Sequence, residues 1–134
     1  MDKKVSELVK GYIEKADEKL KVAKELFQSK NFDDAVSRAY YAAFHAATAL
    51  LLTEGLSADT HSGLVNLFGL HFVKTGKIEK KYGRFLANLK DDRESGDYEV
   101  FSTIDEAVAK NALSEAEELV AKIRQMLQTA GLLS

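Results

Sequence analysis

Hydrophobic residues recur along this chain at intervals of three and four positions, the spacing that places them on one face of an α-helix. The longest such stripe occupies residues 5–27, opposite a surface of lysine and glutamate. It predicts a first helix of about seven turns that ends near residues 29–31. Its apolar members are Val5, Leu8, Val9, Tyr12, Ile13, Ala16, Leu20, Ala23 and Phe27.

The same spacing predicts three more helices in the middle of the chain. The second runs from residue 32 or 33 to residue 54 and is stopped by Gly55. Asp59 or Thr60 can cap the third, which continues to about residue 74 and ends at Thr75 and Gly76. The fourth covers about residues 78–92 and is followed by the longest irregular stretch, residues 93–102.

A last amphipathic helix runs to about residue 129 and stops before Gly131. Thr103 and Glu106 have the spacing of a capping box, in which each side chain bonds the other residue's backbone N–H at a helix start. No proline interrupts any of these segments. The pattern therefore predicts an all-α fold, an up-down antiparallel bundle of four to five helices, in a single domain over residues 1–134.

The second predicted helix carries the side chains of greatest chemical interest. Arg38 and His45 are seven residues apart, close to two turns, so they share one face with Tyr41 between them. An unpaired buried charge is strongly destabilising, so these groups must form an internal polar network or line a cleft or interface. The alanine-rich opposite side is expected to enter the core through Val36, Tyr40, Phe44, Ala47 and Leu51.

Composition narrows the possible functions. The 19 basic and 21 acidic residues give a net charge of −2, so any RNA binding must be local, transient or built at an oligomer interface. The absence of cysteine excludes disulfides and thiolate chemistry. The spacing of His61 and His71 is not typical of metal ligands, and neither a metal nor another cofactor is predicted. The amino terminus is too charged for a signal peptide. The most apolar run contains Arg38 and His45, which are costly in lipid. Both observations indicate a cytoplasmic protein without a membrane segment.

Four motifs follow one another along the chain: SRAYYAAFHAA at residues 37–47, THSG at 60–63, FGLHF at 68–72, and Arg93 followed by Asp97 and Tyr98. In this order they resemble the motifs of the small HEPN proteins, named for nucleotide binding in higher eukaryotes and prokaryotes. The resemblance implies a bundle that is usually a homodimer. It also implies a minimal nucleotidyltransferase partner, because many members are encoded beside one. Several members are metal-independent ribonucleases in toxin and antitoxin pairs.

The family's nuclease motif is an arginine, four to six intervening residues and a histidine. Arg38 and His45 fit this spacing. The chemistry suits RNA cleavage, because histidine can move protons near neutral pH and arginine can stabilise a crowded phosphate. The resemblance therefore makes Arg38 and His45 the candidate catalytic residues.

In the best-studied nuclease members the motif lies late in the chain, where this sequence has residues 93–100. Arg93 is kept there, but Tyr98 stands at the position of the histidine and Val100 at that of a tyrosine. A tyrosine, with a pKa of about 10, transfers protons poorly at pH 7. Arg93, Tyr98 and Tyr41 are therefore predicted to bind substrate, although Arg93 and Tyr98 could instead anchor a loop.

Three functions follow from this reading. The first is one component of a two-component, toxin-antitoxin-like system that binds nucleotide or RNA in a dimer cleft and has a nucleotidyltransferase partner. The second is a metal-independent ribonuclease that uses Arg38 and His45. The third is a structural or interaction module without catalysis.

Overall fold

The computed structural model describes residues 2–101 and 104–134, which form an all-helical bundle without a strand in the described part. The third helix continues directly into a π-helical turn, Gly69–Val73, in which the backbone N–H of Lys74 donates to the carbonyl of Gly69 at 2.8 Å. The helices are α1 (Lys3–Gln28), α2 (Phe32–Leu52), α3 (His61–Phe68), α4 (Lys80–Tyr98) and α5 (Glu106–Thr129).

Most helix ends lie where local chemistry predicts them. The Thr60 hydroxyl accepts a hydrogen bond from the backbone N–H of Gly63 at 2.8 Å and so caps α3. Thr103 of the expected capping box lies outside the described residues. The described cap of α5 is the Asp105 carboxylate, which accepts from the backbone N–H of Val108 at 2.9 Å.

Left-handed residues follow the carboxyl ends of several helices. Gly55, Gly76 and Gly131 have φ values of 71°, 77° and 78°, as expected for the glycines that stop helices. At the end of α1 the same conformation falls on Lys30, with φ 65°. Glycine tolerates this region because it has no Cβ, whereas lysine is strained there.

The expected boundary of α4 is wrong at its carboxyl end, because the helix continues from residue 92 to Tyr98. Two ion pairs spaced i, i+4 stabilise the additional turn. Lys90 contacts Glu94 at 2.7 Å, and Arg93 contacts Asp97 at 3.2 Å. Residues 93–98 are therefore helical rather than part of a loop.

Helix α2 lies at the centre of the bundle and contacts each of the other four helices. Most of its buried positions are alanine, so the neighbouring helices can approach closely. Phe44, expected in the core, and Leu20 of the apolar stripe in α1 are only half-buried at the edge of the core. None of the helices in the described ranges is long and apolar enough to span a membrane. The largest fully buried side chains include Tyr40, Phe68, Ile13, Leu51, Leu86, Leu119 and Ile123.

Candidate functional site

The most unusual group in the described core is the guanidinium of Arg93, which is only 7% exposed and is the one buried charged residue there. Its central carbon lies 5.2 Å from the ring centroid of Tyr40, 5.7 Å from that of Tyr41 and 5.8 Å from that of Tyr98. All three separations are within the range of cation–π attraction. We call Arg93, these tyrosines and His61 the Arg93 cluster.

The Arg93 guanidinium keeps part of its hydrogen-bonding capacity. Its Nη1 donates to the Asp97 carboxylate at 3.2 Å. Its Nε is buried and bonds to no described residue. A buried donor without a partner is uncommon in folded proteins, and an anion at this position would satisfy it.

His61 joins the cluster through the hydroxyl of Tyr40, which is hydrogen-bonded to Nδ1 of the imidazole. Burial raises the pKa of Tyr40 well above its ordinary value, and nearby Arg93 offsets only part of this, so the phenol stays protonated and is the donor. Burial, followed by the charges of Arg93 and Lys90, lowers the pKa of His61. The imidazole is therefore neutral at pH 7, and its Nε2 carries the proton and is a donor.

Two elements position this cluster, and a third completes it. Helix α2 supplies Tyr40 and Tyr41 from adjacent positions, and the extended end of α4 supplies Arg93 and Tyr98. His61 is the first residue of α3, so the Thr60 cap places the imidazole against α2. The sequence pattern did not predict this role of His61. His61 and Tyr40 lie on different helices, and the irregular segment between α2 and α3 gives no sign that the two residues meet.

Arg38 and His45 occupy different surroundings. Arg38 is exposed and has no hydrogen bond, ion pair or ring contact with a described residue, His45 included. His45 is half-buried against α1, where its ring stacks on Tyr12 with centroids 6.0 Å apart. Burial, then the charges of Lys15 and Lys19, lowers the pKa of His45. Tyr41 lies between the two regions, because its ring centroid is 6.4 Å from that of His45 and 5.7 Å from the Arg93 guanidinium carbon.

Within residues 2–101 and 104–134, no group of three or more histidine, aspartate or glutamate side chains is arranged to hold a metal ion. The Arg93 cluster offers hydrogen-bond donors, a buried cation and aromatic faces. Such a set suits the recognition of phosphate and of nucleotide bases.

Comparison with known proteins agrees with the fold and the motifs. A model of the HEPN domain matches residues 9–126, a range that contains the whole Arg93 cluster. The chain belongs to the HEPN family. This HEPN chain is 41% identical over 128 residues to "Putative toxin MJ0605" of Methanocaldococcus jannaschii, covering 96% of this chain and 95% of that protein.

Two further similarities extend across most of this HEPN bundle. It is 35% identical over 121 residues to a "UPF0332 protein" of Thermotoga maritima, covering 90% of this chain and 92% of that protein. In fold it is similar to TT1696 from Thermus thermophilus, with a TM-score of 0.73 over 87% of this chain and 96% of that one. The sequence identity in that comparison is 18%, so the likeness concerns the fold alone.

Proposed function

We propose that this HEPN protein is the toxin-like component of a two-component system in the cytoplasm, and that its Arg93 cluster binds a phosphate of RNA or a nucleotide. The observation that carries the proposal is the buried Arg93 guanidinium, which three tyrosine rings surround and whose Nε bonds to no described residue. A buried arginine with only a structural role is expected to have all its N–H donors hydrogen-bonded within the protein, for example to carboxylates. The "Putative toxin" name of a close relative supports the toxin-like role.

The cluster offers complementary contacts for such a ligand. The planar fork of Arg93 matches phosphate oxygens, and the Nε2–H of His61 is a second donor. Tyr98 is 73% exposed and can serve as a stacking surface for a base. The ligand would approach past Tyr98, which is exposed, and past Tyr41 and His61, which are partly exposed, because Arg93 itself is buried. With a net charge of −2, the chain lacks the overall positive charge that attracts RNA along a broad surface, so binding at one local cluster is consistent with its composition.

The ribonuclease that uses Arg38 and His45 is the second candidate. An exposed arginine without an ion pair among the described residues is free to contact a phosphate. The lowered pKa of His45 keeps its imidazole neutral at pH 7, the form that accepts a proton. The two candidates use different arginines, so one set of variants separates them.

The test compares three conservative arginine substitutions and His45→Ala during induced expression in a bacterial host, with growth and the binding and cleavage of a short RNA as readouts. Arg93→Lys keeps the charge but loses the planar fork, so it should relieve growth inhibition and weaken RNA binding by about tenfold or more. Arg84→Lys is the matched control, because Arg84 is exposed on the same helix. It should behave like the wild-type protein.

The third substitution, Arg38→Lys, decides between the candidates. Loss of RNA cleavage in Arg38→Lys and His45→Ala, with Arg93→Lys fully active, would favour the ribonuclease and overturn our proposal. A wild-type protein that neither inhibits growth nor binds RNA would instead indicate an interaction module without catalysis. Co-expression with the product of a neighbouring nucleotidyltransferase-like gene should relieve growth inhibition and yield a stable complex.

A further inference from the structure

A concavity lies between α1, α2, the segment that follows α2, and α3, and it shares no residue with the Arg93 cluster. It is a pocket of about 320 Å³, at the small end of the range of ligand sites, about 300–1,000 Å³. Its walls are mostly apolar and include Phe44, Leu52, Leu56 and Leu64. A pocket of this size and lining fits the hydrocarbon body of a small molecule.

The charge in this pocket has one sign. Lys15 is the only lysine or arginine among the described residues that line it, and neither aspartate nor glutamate lines it. Lys15 forms no ion pair with a described residue, so its ammonium group is available. The pocket is therefore complementary to a ligand with one negative charge and an apolar body.

The imidazole of His45, which lines the pocket, also lacks a hydrogen-bond partner among the described residues. Neither ring nitrogen of His45 hydrogen-bonds to a described residue, and its Nδ1 is buried. The hydroxyl of Thr48, which also lines the pocket, already donates to the carbonyl of Phe44 at 2.8 Å. The imidazole thus has hydrogen-bonding capacity that the surrounding protein leaves unused, whereas the neighbouring hydroxyl does not.

We infer that this pocket binds a small organic carboxylate. The carboxylate pairs with the Lys15 ammonium group and accepts a hydrogen bond from the neutral His45 imidazole. The hydrocarbon body contacts Phe44 and Leu52. This inference stands apart from the proposed RNA site, because the two share no residue.

Hexanoate is the probe, with 1-hexanol as its uncharged counterpart and acetate as its counterpart without an apolar body. Binding is followed by NMR at the His45 ring, whose signals are assigned with His45→Gln. Hexanoate should give saturable shifts with a Kd of about 1 mM, as expected for so small a ligand. 1-Hexanol should bind about tenfold more weakly, because it lacks the charge that pairs with Lys15, and acetate should give no saturable shift.

Substitutions locate the probe. Lys15→Ala should weaken hexanoate binding by about tenfold, and Leu52→Trp should abolish it by filling the pocket. Lys10→Ala is the matched control, because it removes the same charge from an exposed position on the same helix outside the pocket. Thermal melting checks that each variant is folded.

Three results would each overturn the inference. One is the absence of a saturable shift at about 10 mM hexanoate, ten times the expected Kd. Another is equal affinity for hexanoate and 1-hexanol. The third is equal weakening by Lys15→Ala and Lys10→Ala, which would mean that hexanoate responds only to the overall charge of the protein.

Discussion

Arg93 illustrates how one residue can depend on partners distant in sequence. Its guanidinium is buried, yet it has one carboxylate partner at the edge of the site and three aromatic faces around it. The sequence alone marked Arg93, Tyr98 and Tyr41 as candidates for binding. It placed Tyr40 in the core, which is correct, but did not reveal that the Tyr40 hydroxyl also orients His61.

The hydrogen bond from Tyr40 to His61 can be tested by Tyr40→Phe. Removal of the hydroxyl leaves Nδ1 of His61 without its donor and should cost about 1 kcal/mol of unfolding free energy. The donor favours the neutral imidazole, so its loss should raise the pKa of His61 towards the ordinary value of about 6.5. An NMR titration of the His61 ring measures this shift. Tyr82→Phe removes the hydroxyl of another buried tyrosine and should leave the His61 titration unchanged; an equal shift in both variants would refute the assignment.

The lowered pKa of His45 predicts a pH dependence of stability. Because the folded-state pKa lies below the unfolded-state value of about 6.5, the unfolded chain binds more protons in acid. The His45 contribution therefore destabilises the protein as the pH falls below about 6.5, until the pH reaches the folded-state pKa. His45→Gln should flatten this part of the curve of unfolding free energy against pH. Lys15→Ala should flatten it partly, because it removes one cause of the shift. An unchanged slope in His45→Gln would contradict the prediction.

At the scale of elements, the end of α1 shows a correctable strain. The backbone N–H of Asn31 donates to Leu26 at 2.9 Å, and that of Lys30 donates to Phe27 at 3.0 Å. This is the bonding pattern of a helix end closed by a left-handed residue. Lys30 fills the position that glycine fills at the other described left-handed helix ends.

Lys30→Gly should therefore stabilise the protein by about 0.5 to 1 kcal/mol, since the left-handed penalty of about 1–2 kcal/mol exceeds the entropy that glycine loses on folding. Lys21→Gly is the matched control at an exposed position within the same helix. It should destabilise by about 1 kcal/mol. Chemical denaturation measures both values, and a loss of stability in Lys30→Gly would show that the αL strain is negligible.

The elements also show where periodicity suffices and where it fails. Apolar stripes predict α1, α2 and α5, because each of these helices buries one long face. Their ends, at glycine or another left-handed residue, are also determined locally. The last turn of α4 could not be predicted in this way. Its residues are polar, and they are held by ion pairs and by the contact of Arg93 with α2. The π-helical turn after α3 could not be predicted either, because an apolar stripe does not distinguish backbone hydrogen bonds spaced i, i+4 from those spaced i, i+5.

At the scale of the whole molecule, apolar surface collects beside the Arg93 cluster. Val100 and Phe101, which follow Tyr98 closely in sequence, are 90% and 89% exposed, which is unusual for hydrophobic side chains of this size. We expect this surface to be covered in a homodimer. Light scattering at micromolar concentration should give twice the chain mass of 14.8 kDa.

Phe101→Ser should shift this dimer towards the monomer, because it removes apolar area from the expected interface. Leu70→Ser is the control, since Leu70 is a half-exposed hydrophobic residue on the π-helical turn. It should leave the mass unchanged. A wild-type mass of 14.8 kDa would rule out the expected dimer.

The alanine-lined centre of the bundle has a consequence for the evolution of this chain. In most cores the large side chains tolerate change least, because their truncation leaves cavities. Ala43 and Ala46 of α2 are fully buried, and here enlargement of the side chain is the destabilising change. Each added methylene must push two helices apart, at a cost of about 1–3 kcal/mol. Substitutions that add volume are therefore expected to be tolerated at exposed positions of the outer helices, but not at these buried alanines of the central helix.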